Sequence, residues 1–260
     1  MLLPTVIAAG VLGLALGSFL NVVIWRVPRG ESVVRPPSHC PGCDREISPR
    51  DNIPVLSWLL LRGRCRRCGT RISVRYPAVE LLTAALFALV AYRIGFAPEL
   101  PAYLYLTAVG VALAAIDLDH RRLPNALTLP SYVVLGALLA LASAVTGDWW
   151  ALARAGIGMA AYYGVLFLLA VAVPRGMGFG DVKLAGVLGM GLAWLGWGEL
   201  VAGFFLGFAY GALVSIALIA LGRAGRKSTV PFGPFLVAGA LTAVTYGHEL
   251  ARFYVSSTIG

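Results

Sequence analysis

The chain has 260 residues, of which 59% are hydrophobic and only 13% are charged, and its mean hydropathy is +0.82. Soluble globular proteins contain about 45–50% apolar and about 25% charged residues, so this composition excludes an ordinary soluble domain. Intrinsic disorder is excluded as well, because it needs low hydrophobicity. The net charge of +9 does not indicate nucleic-acid binding, because 11 of the 21 basic residues lie between Arg26 and Arg75 and the others are scattered between apolar runs. This pattern is typical of a membrane protein that keeps its cationic loops in the cytoplasm.

Apolar stretches of about 20 residues, the length that crosses a bilayer, predict an all-α polytopic protein with about eight transmembrane helices. In chain order these stretches cover residues 3–25, 77–94, 101–116, 127–146, 155–173, 183–198, 200–221 and 232–251. The sixth stretch is short and rich in glycine, and it is predicted to be an interior helix because small residues allow close helix contacts. Four tryptophans near the predicted outer face are expected to form an interfacial belt. They are Trp149, Trp150, Trp194 and Trp197.

The basic residues predict the orientation of the chain. The first span lacks a positive n-region and its first cation, Arg26, follows the apolar stretch, so we expect an uncleaved span with its N-terminus outside. With the next loop inside, 18 cations face the cytoplasm, among them Arg175, Arg226 and Lys227, and three lie outside. The opposite topology would invert this ratio, which the positive-inside rule disfavours.

All four cysteines lie in the first loop, as Cys40-Pro-Gly-Cys43 and Cys65-Arg-Arg-Cys68. Two C-x-x-C pairs with 21 residues between Cys43 and Cys65 nearly match the spacing of a four-cysteine zinc ribbon. The sequence therefore predicts a small cytoplasmic domain folded around structural zinc. Two disulfides or redox thiols are the alternative, which the reducing side of the membrane disfavours. His39 adjoins the first pair and is either a substitute ligand or simply exposed.

Acidic residues at the ends of membrane spans are costly and so indicate function. The candidates are Glu80, Asp117, Asp119 and Asp181. Asp117 and Asp181 fall at the same cytoplasmic depth, and paired aspartates can hydrolyse a peptide through one water molecule. Gly178 precedes Asp181 by three residues in Gly-Phe-Gly-Asp, where glycines permit close backbone approach. Helix capping or pairing with nearby arginines is the alternative for Asp117 and Asp119, and pairing with an arginine is the alternative for Glu80.

In this order, these motifs resemble those of the bacterial type IV prepilin peptidases, the bifunctional leader peptidase/N-methyltransferases among the G-x-G-D membrane aspartic proteases. The resemblance covers nearly the whole chain. Its motifs are Gly17–Ile24 with Arg26 and Pro28, Pro37–Cys43, Asn52–Trp58, Arg62–Cys65, the second cysteine pair, Ile72–Glu80, Ile116–His120 with Leu123–Asn125, Gly178–Asp181 and Pro231–Phe235.

The resemblance implies that Asp117 and Asp181 are the catalytic pair, supported by Gly178 and Gly180, and that Asp119 is secondary. It implies removal of the basic leader of prepilins and pseudopilins after a glycine, at the cytoplasmic face of the bacterial inner membrane. S-adenosylmethionine would then methylate the new N-terminal residue. The implied domains are a first helix (1–25), a methyltransferase-associated cysteine loop (26–76) and a membrane peptidase (77–260).

Three other functions stay open at this point. A proton-coupled transporter could use the membrane carboxylates as a relay, although no internal repeats support it. A membrane thiol oxidoreductase could use the two cysteine pairs, and a peptidase could lack methyltransferase activity. No G-x-G-x-x-G motif predicts a cofactor-binding fold, and the residues that we name for the methyl-donor site are Gly17, Asn21 and Arg26. The sequence does not indicate the oligomeric state.

Overall fold

The computed structural model describes residues 1–173, 177–223 and 230–258. Within these residues the chain is helical and contains no strand, which confirms the predicted all-α class. Three of the cations used to predict the orientation, Arg175, Arg226 and Lys227, lie outside the described residues. The helices are α1 (Leu2–Arg26), α2 (Leu56–Leu60), α3 (Arg75–Ile94), α4 (Leu100–His120), α5 (Asn125–Thr146), α6 (Trp149–Ala172), α7 (Phe179–Leu195), α8 (Trp197–Ala220) and α9 (Gly233–Thr258).

Each of the eight predicted spans coincides with a long helix, but six of the described helices are long and apolar enough to cross a membrane. The two others are α7, which has 17 residues, and the apolar part of α9, Gly233–Gly247. The chain is therefore a multi-pass membrane protein, and the predicted number of about eight spans is slightly higher than the number found.

The chain divides into two compact units, Met1–Phe96 and Ala97–Gly260. In the first unit, α1 packs along α3 through glycines. A Cβ on Gly13 or Gly17 would lie 2.7 Å from the α3 backbone, so these positions have no room for a larger residue. The amide of Asn21 donates a hydrogen bond of 3.1 Å to the carbonyl of Tyr76 at the start of α3. These contacts hold the ends of α1 and α3 that flank the cysteine loop.

In the second unit, α7 lies between other helices rather than beside lipid. Val182 and every residue from Leu184 to Trp194 are buried, which confirms the prediction of an interior helix. It meets α6 where Gly158 faces Gly189. A Cβ on Gly189 would lie 2.5 Å from the carbonyl oxygen of Gly158 and 2.8 Å from the Cβ of Tyr162, so a larger residue has no room there. The hydroxyl of Tyr103 in α4 donates 2.7 Å to the carbonyl of Gly191.

Two polar side chains hold the C-terminal end of α7. The guanidinium of Arg154 donates to the carbonyls of Ala193, Trp194 and Leu195, the groups that a helix end leaves without internal partners. The indole N–H of Trp194 donates 3.0 Å to the hydroxyl of Ser143. Trp194 is 8% exposed, so its predicted place in an interfacial belt is wrong. Trp149, Trp150 and Trp197 are exposed, as a belt requires.

Candidate functional site

Asp117 lies in the last turn of α4, where it is buried with 5% exposure. Its Oδ2 accepts a 3.0 Å hydrogen bond from the backbone N–H of Gly233, the first residue of α9. A helix N-terminus provides free N–H groups and a positive dipole end, both of which stabilise a carboxylate. The start of α9 therefore fixes the orientation of Asp117.

Asp181 lies in the first turn of α7 and is 7% exposed. Its Oδ2 accepts a 3.2 Å hydrogen bond from the N–H of Gly178, and its own N–H donates 3.0 Å to the Gly178 carbonyl. This reciprocal pair is a helix N-cap arrangement, in which a carboxylate at the third helical position stabilises the helix start. The Gly178–Asp181 motif thus begins the helix and orients the carboxylate with the same atoms.

Side chains of α5 hold the first turn of α7 in place. The hydroxyl of Tyr132 donates 2.6 Å to the carbonyl of Lys183. The ammonium of Lys183 donates 3.0 Å to the side-chain oxygen of Asn125, at the start of α5. Because α5 follows α4 directly, these contacts join the turn that carries Asp181 to the end of α4 that carries Asp117.

The two carboxylates lie close enough for the charge of Asp117 to act on Asp181. Leu123, in the turn after α4, lies beside the glycines next to both acids, Gly180 and Gly233. A Cβ on Gly180 would lie 3.1 Å from the Cβ of Leu123. A Cβ on Gly233 would lie 3.3 Å from its Cδ2 and 2.8 Å from Asp117 Oδ2. Glycine at both positions therefore leaves room for the Leu123 side chain, and glycine at 233 also leaves room for the Asp117 carboxylate.

Asp117 and Asp181 are both buried, whereas Asp119 is exposed. The structure thus brings together the two carboxylates that the sequence singled out and leaves the third outside. Two buried carboxylates that lie close together can share one proton, and such a pair can accept a proton from water and give one to a carbonyl oxygen. The arrangement can perform acid–base chemistry on a peptide bond.

The four cysteines form a single cluster, with all Sγ atoms within 4.8 Å of one another. The two pairs fold alike. The carbonyls of Cys40 and Cys65 accept hydrogen bonds from the N–H groups four residues later, those of Asp44 and Gly69. Each of these two turns ends in a residue with a left-handed backbone conformation, with φ of 52° at Asp44 and 72° at Gly69. Two equivalent turns therefore present two thiols each to one point.

The cluster fits a tetrahedral metal ion. Zinc–sulfur bonds of about 2.3 Å give sulfur–sulfur distances of about 3.8 Å, and the Sγ atoms of Cys40 and Cys68 are 3.7 Å apart. The hydroxyl of Thr70, 3.2 Å from Cys68 Sγ, lowers the pKa of that thiol to about 6, which favours the thiolate that binds metal. His39 does not belong to the cluster. Its Nε2 lies 3.5 Å from Oδ1 of Asp44 instead.

Family models match most of the chain. Residues 11–94 match the bacterial peptidase A24 N-terminal domain, and residues 104–216 match the type IV leader peptidase family. The chain belongs to the type IV leader peptidase family. A comparison with solved structures finds no significant match.

Other members of the leader peptidase family are similar to this chain over almost their whole length. A protein of Aeromonas hydrophila is 41% identical over 94% of this chain and 91% of its own length. A protein of Bacillus subtilis (strain 168) is 35% identical over 96% and 98%, respectively. A protein of Pseudomonas aeruginosa is 35% identical over 97% and 94%. All three are named prepilin leader peptidase/N-methyltransferase.

The structure adds one residue to the candidate aspartate site that sequence reasoning did not assign. The Pro231–Phe235 motif belongs to the leader peptidase resemblance, but no role was predicted for it. Its Gly233 supplies the N–H that binds Asp117, across 116 residues of sequence. The one sequence signal that could have indicated this role is the glycine in the Pro-Phe-Gly-Pro motif, because no local pattern of residues connects α9 to α4.

Glu80 lies in α3, in the other unit, and is 7% exposed. Its Oε2 accepts a 2.7 Å hydrogen bond from the N–H of Val55, which has a φ of 60°. The carboxylate is therefore held by a backbone N–H rather than by the arginine that sequence reasoning allowed for.

Proposed function

We propose that the chain is a membrane aspartic endopeptidase that removes the basic leader of type IV prepilins and pseudopilins after a glycine. It then methylates the new N-terminal residue with S-adenosylmethionine. The observation that carries the peptidase proposal is the buried pair Asp117 and Asp181, each bound by a glycine N–H and close enough for the charge of Asp117 to act on Asp181. The names of the relatives support both activities.

In the proposed reaction, one carboxylate of the pair takes a proton from a water molecule whose oxygen attacks the carbonyl carbon of the scissile bond. The other, protonated, carboxyl donates to the carbonyl oxygen. The carbon–nitrogen bond then breaks and the departing amine takes up a proton from the pair. The N–H groups of Gly178 and Gly233 keep the two carboxylates oriented through these steps.

The proposed location is the bacterial inner membrane, with the N-terminus outside and the aspartates at the cytoplasmic face. There, the apolar helix of a prepilin can remain in the bilayer while its leader stays in the cytoplasm. The proposed metal of the cysteine cluster is structural zinc, held by Cys40, Cys43, Cys65 and Cys68. Zinc would supply the folding energy of a loop that has little apolar content.

The peptidase proposal is tested by Asp117→Asn and Asp181→Asn in proteoliposomes that contain a prepilin. Each variant should lose leader cleavage, because an amide can neither accept nor donate the proton that the reaction moves. The matched control is Asp119→Asn, which changes an exposed acid in the same turn as Asp117 and should retain cleavage. Full processing by either of the first two variants would refute the proposed pair.

The same proteoliposomes separate this proposal from transport. A carrier would move protons or a solute across the vesicle membrane without cleaving the prepilin. Mass measurement of the mature pilin separates a bifunctional enzyme from a peptidase alone, because methylation adds one methylene mass to the new N-terminus.

A further inference from the structure

A cavity of about 990 Å³ lies within the first unit, between the ends of α1 and α3 and the cysteine loop. Its walls include Asn21, Trp58 and Tyr76 as well as Cys40 and Cys65. Ligand sites in proteins are concave and have volumes of about 300–1,000 Å³, with a few polar groups that fix the ligand's orientation. The cavity is therefore large enough to hold a nucleoside-sized molecule.

Glu80 is the most buried acid that lines this cavity. The others are Glu31 and Glu46, which are exposed, and Asp51, which is bound by Arg66 at 2.8 Å. Glu80 accepts its hydrogen bond from a backbone N–H, and no ion pair of Glu80 is found among the described residues, so no cation neutralises its negative charge. A buried carboxylate without a cationic partner is costly, and a cationic ligand would lower that cost.

Basic side chains also line the cavity, but two of them already have partners. The guanidinium of Arg26 donates to the carbonyls of Ser32 and Pro37, and that of Arg66 binds Asp51. A ligand with both signs of charge would suit a cavity that combines a deep carboxylate with arginines. Trp58 offers it a fixed aromatic surface, because its indole N–H donates 3.2 Å to the carbonyl of Ile72.

We propose that this cavity binds the methyl donor and that the Glu80 carboxylate contacts one of the donor's positive charges. This inference rests on the proposed methyltransferase function and assigns it a site. S-adenosylmethionine carries a sulfonium and an ammonium for the carboxylate, a carboxylate of its own for an arginine, and an adenine for an aromatic surface. The cavity lies wholly in the first unit, whereas Asp117 and Asp181 belong to the second, so the two activities can be lost separately.

The test is the affinity of the purified full-length protein for S-adenosylmethionine and for S-adenosylhomocysteine, which lacks the sulfonium charge. Both are measured by calorimetric titration in detergent micelles. Glu80→Gln keeps the shape of the side chain and an oxygen for the Val55 N–H but removes the charge. We expect it to weaken binding of S-adenosylmethionine about 10- to 100-fold, the effect of losing one charged hydrogen bond or ion pair. Glu99→Gln, the same change in the second unit, should leave the affinity unchanged.

Leader cleavage in the same preparations checks the fold, and Glu80→Gln should retain it. Weakened binding of S-adenosylmethionine alone would assign Glu80 to the sulfonium, and weakened binding of both compounds would assign it to the ammonium. Unchanged binding of both would overturn the cavity proposal and leave the proposed function standing. Failure of the unaltered protein to bind or use the donor would instead refute the methyltransferase function.

A second variant keeps the test valid if Glu80→Gln does not fold. Ile53 lines the cavity and its side chain is 47% exposed, so arginine can replace it without loss of core packing. The added positive charge should weaken donor binding while cleavage persists. Binding that is as tight as in the unaltered protein would overturn the proposal.

Discussion

The contact between Gly233 and Asp117 allows the peptidase proposal to be tested without changing either aspartate. In Gly233→Ala, the new Cβ would lie 2.8 Å from Asp117 Oδ2 and 3.3 Å from Leu123 Cδ2. The first distance is too short for two non-bonded atoms, so the carboxylate or the start of α9 must move. We therefore expect the substitution to disturb Asp117 while leaving its charge in place.

The size of the effect follows from these distances. Ordinary contact begins at 3.4 Å, so the two atoms must separate by about 0.6 Å. The Gly233 N–H donates to the same oxygen at 3.0 Å, and lengthening this bond to about 3.6 Å would break it. A hydrogen bond to a charged group contributes about 1.5–3 kcal/mol. If the whole contribution is lost from the transition state, cleavage slows about 10- to 100-fold.

The assay is the initial rate of leader removal from a prepilin in proteoliposomes, at substrate concentrations that separate kcat from KM. We expect the loss mainly in kcat, because the substitution changes the reacting carboxylate rather than a substrate-binding surface. Gly156→Ala is the matched control, since a Cβ at Gly156 in α6 meets no atom within 4 Å. It should cleave at the unaltered rate, because alanine also favours helix over glycine.

A Gly233→Ala variant that cleaves as fast as the unaltered protein would refute the role assigned to this N–H. A comparable loss in Gly156→Ala would show that the assay responds to any glycine substitution. Equal thermal unfolding temperatures for the two variants would separate a change at the site from a general loss of stability.

Two further predictions concern the interior helix and the cysteine cluster. Arg154→Met should lower the free energy of unfolding by about 3 kcal/mol, because the carbonyls at the end of α7 lose their donor, and thermal unfolding in micelles measures this. An unfolding temperature equal to that of the unaltered protein would contradict the prediction. The purified protein should contain one zinc ion per chain, and Cys43→Ser should lower zinc content and methylation but retain leader cleavage. A zinc-free protein with full methylation would contradict the second prediction.

The membrane helices and their class could be predicted from the sequence because hydrophobicity is a property of each residue and its neighbours. Each predicted span corresponds to a helix within a few residues at most ends, and the glycines of the sixth stretch indicated an interior helix. The cysteine cluster was predictable for the same reason, since two C-x-x-C pairs each fold locally. The limit of local information is visible at Trp194, whose burial depends on Ser143 and Tyr103 in other helices.

The amino-acid sequence by itself determined that the chain lies in a membrane and that its cysteines can meet around a metal, and it predicted which carboxylates fall near one face. Only the tertiary structure decided which acid is buried, Asp117 rather than Asp119, and that the N–H of Gly233 binds it. It also decided that the Glu80 carboxylate meets a backbone N–H and lines a cavity. The reason is physical: burial and hydrogen bonding at these sites join residues that are distant in sequence, and no local pattern of polarity records such contacts.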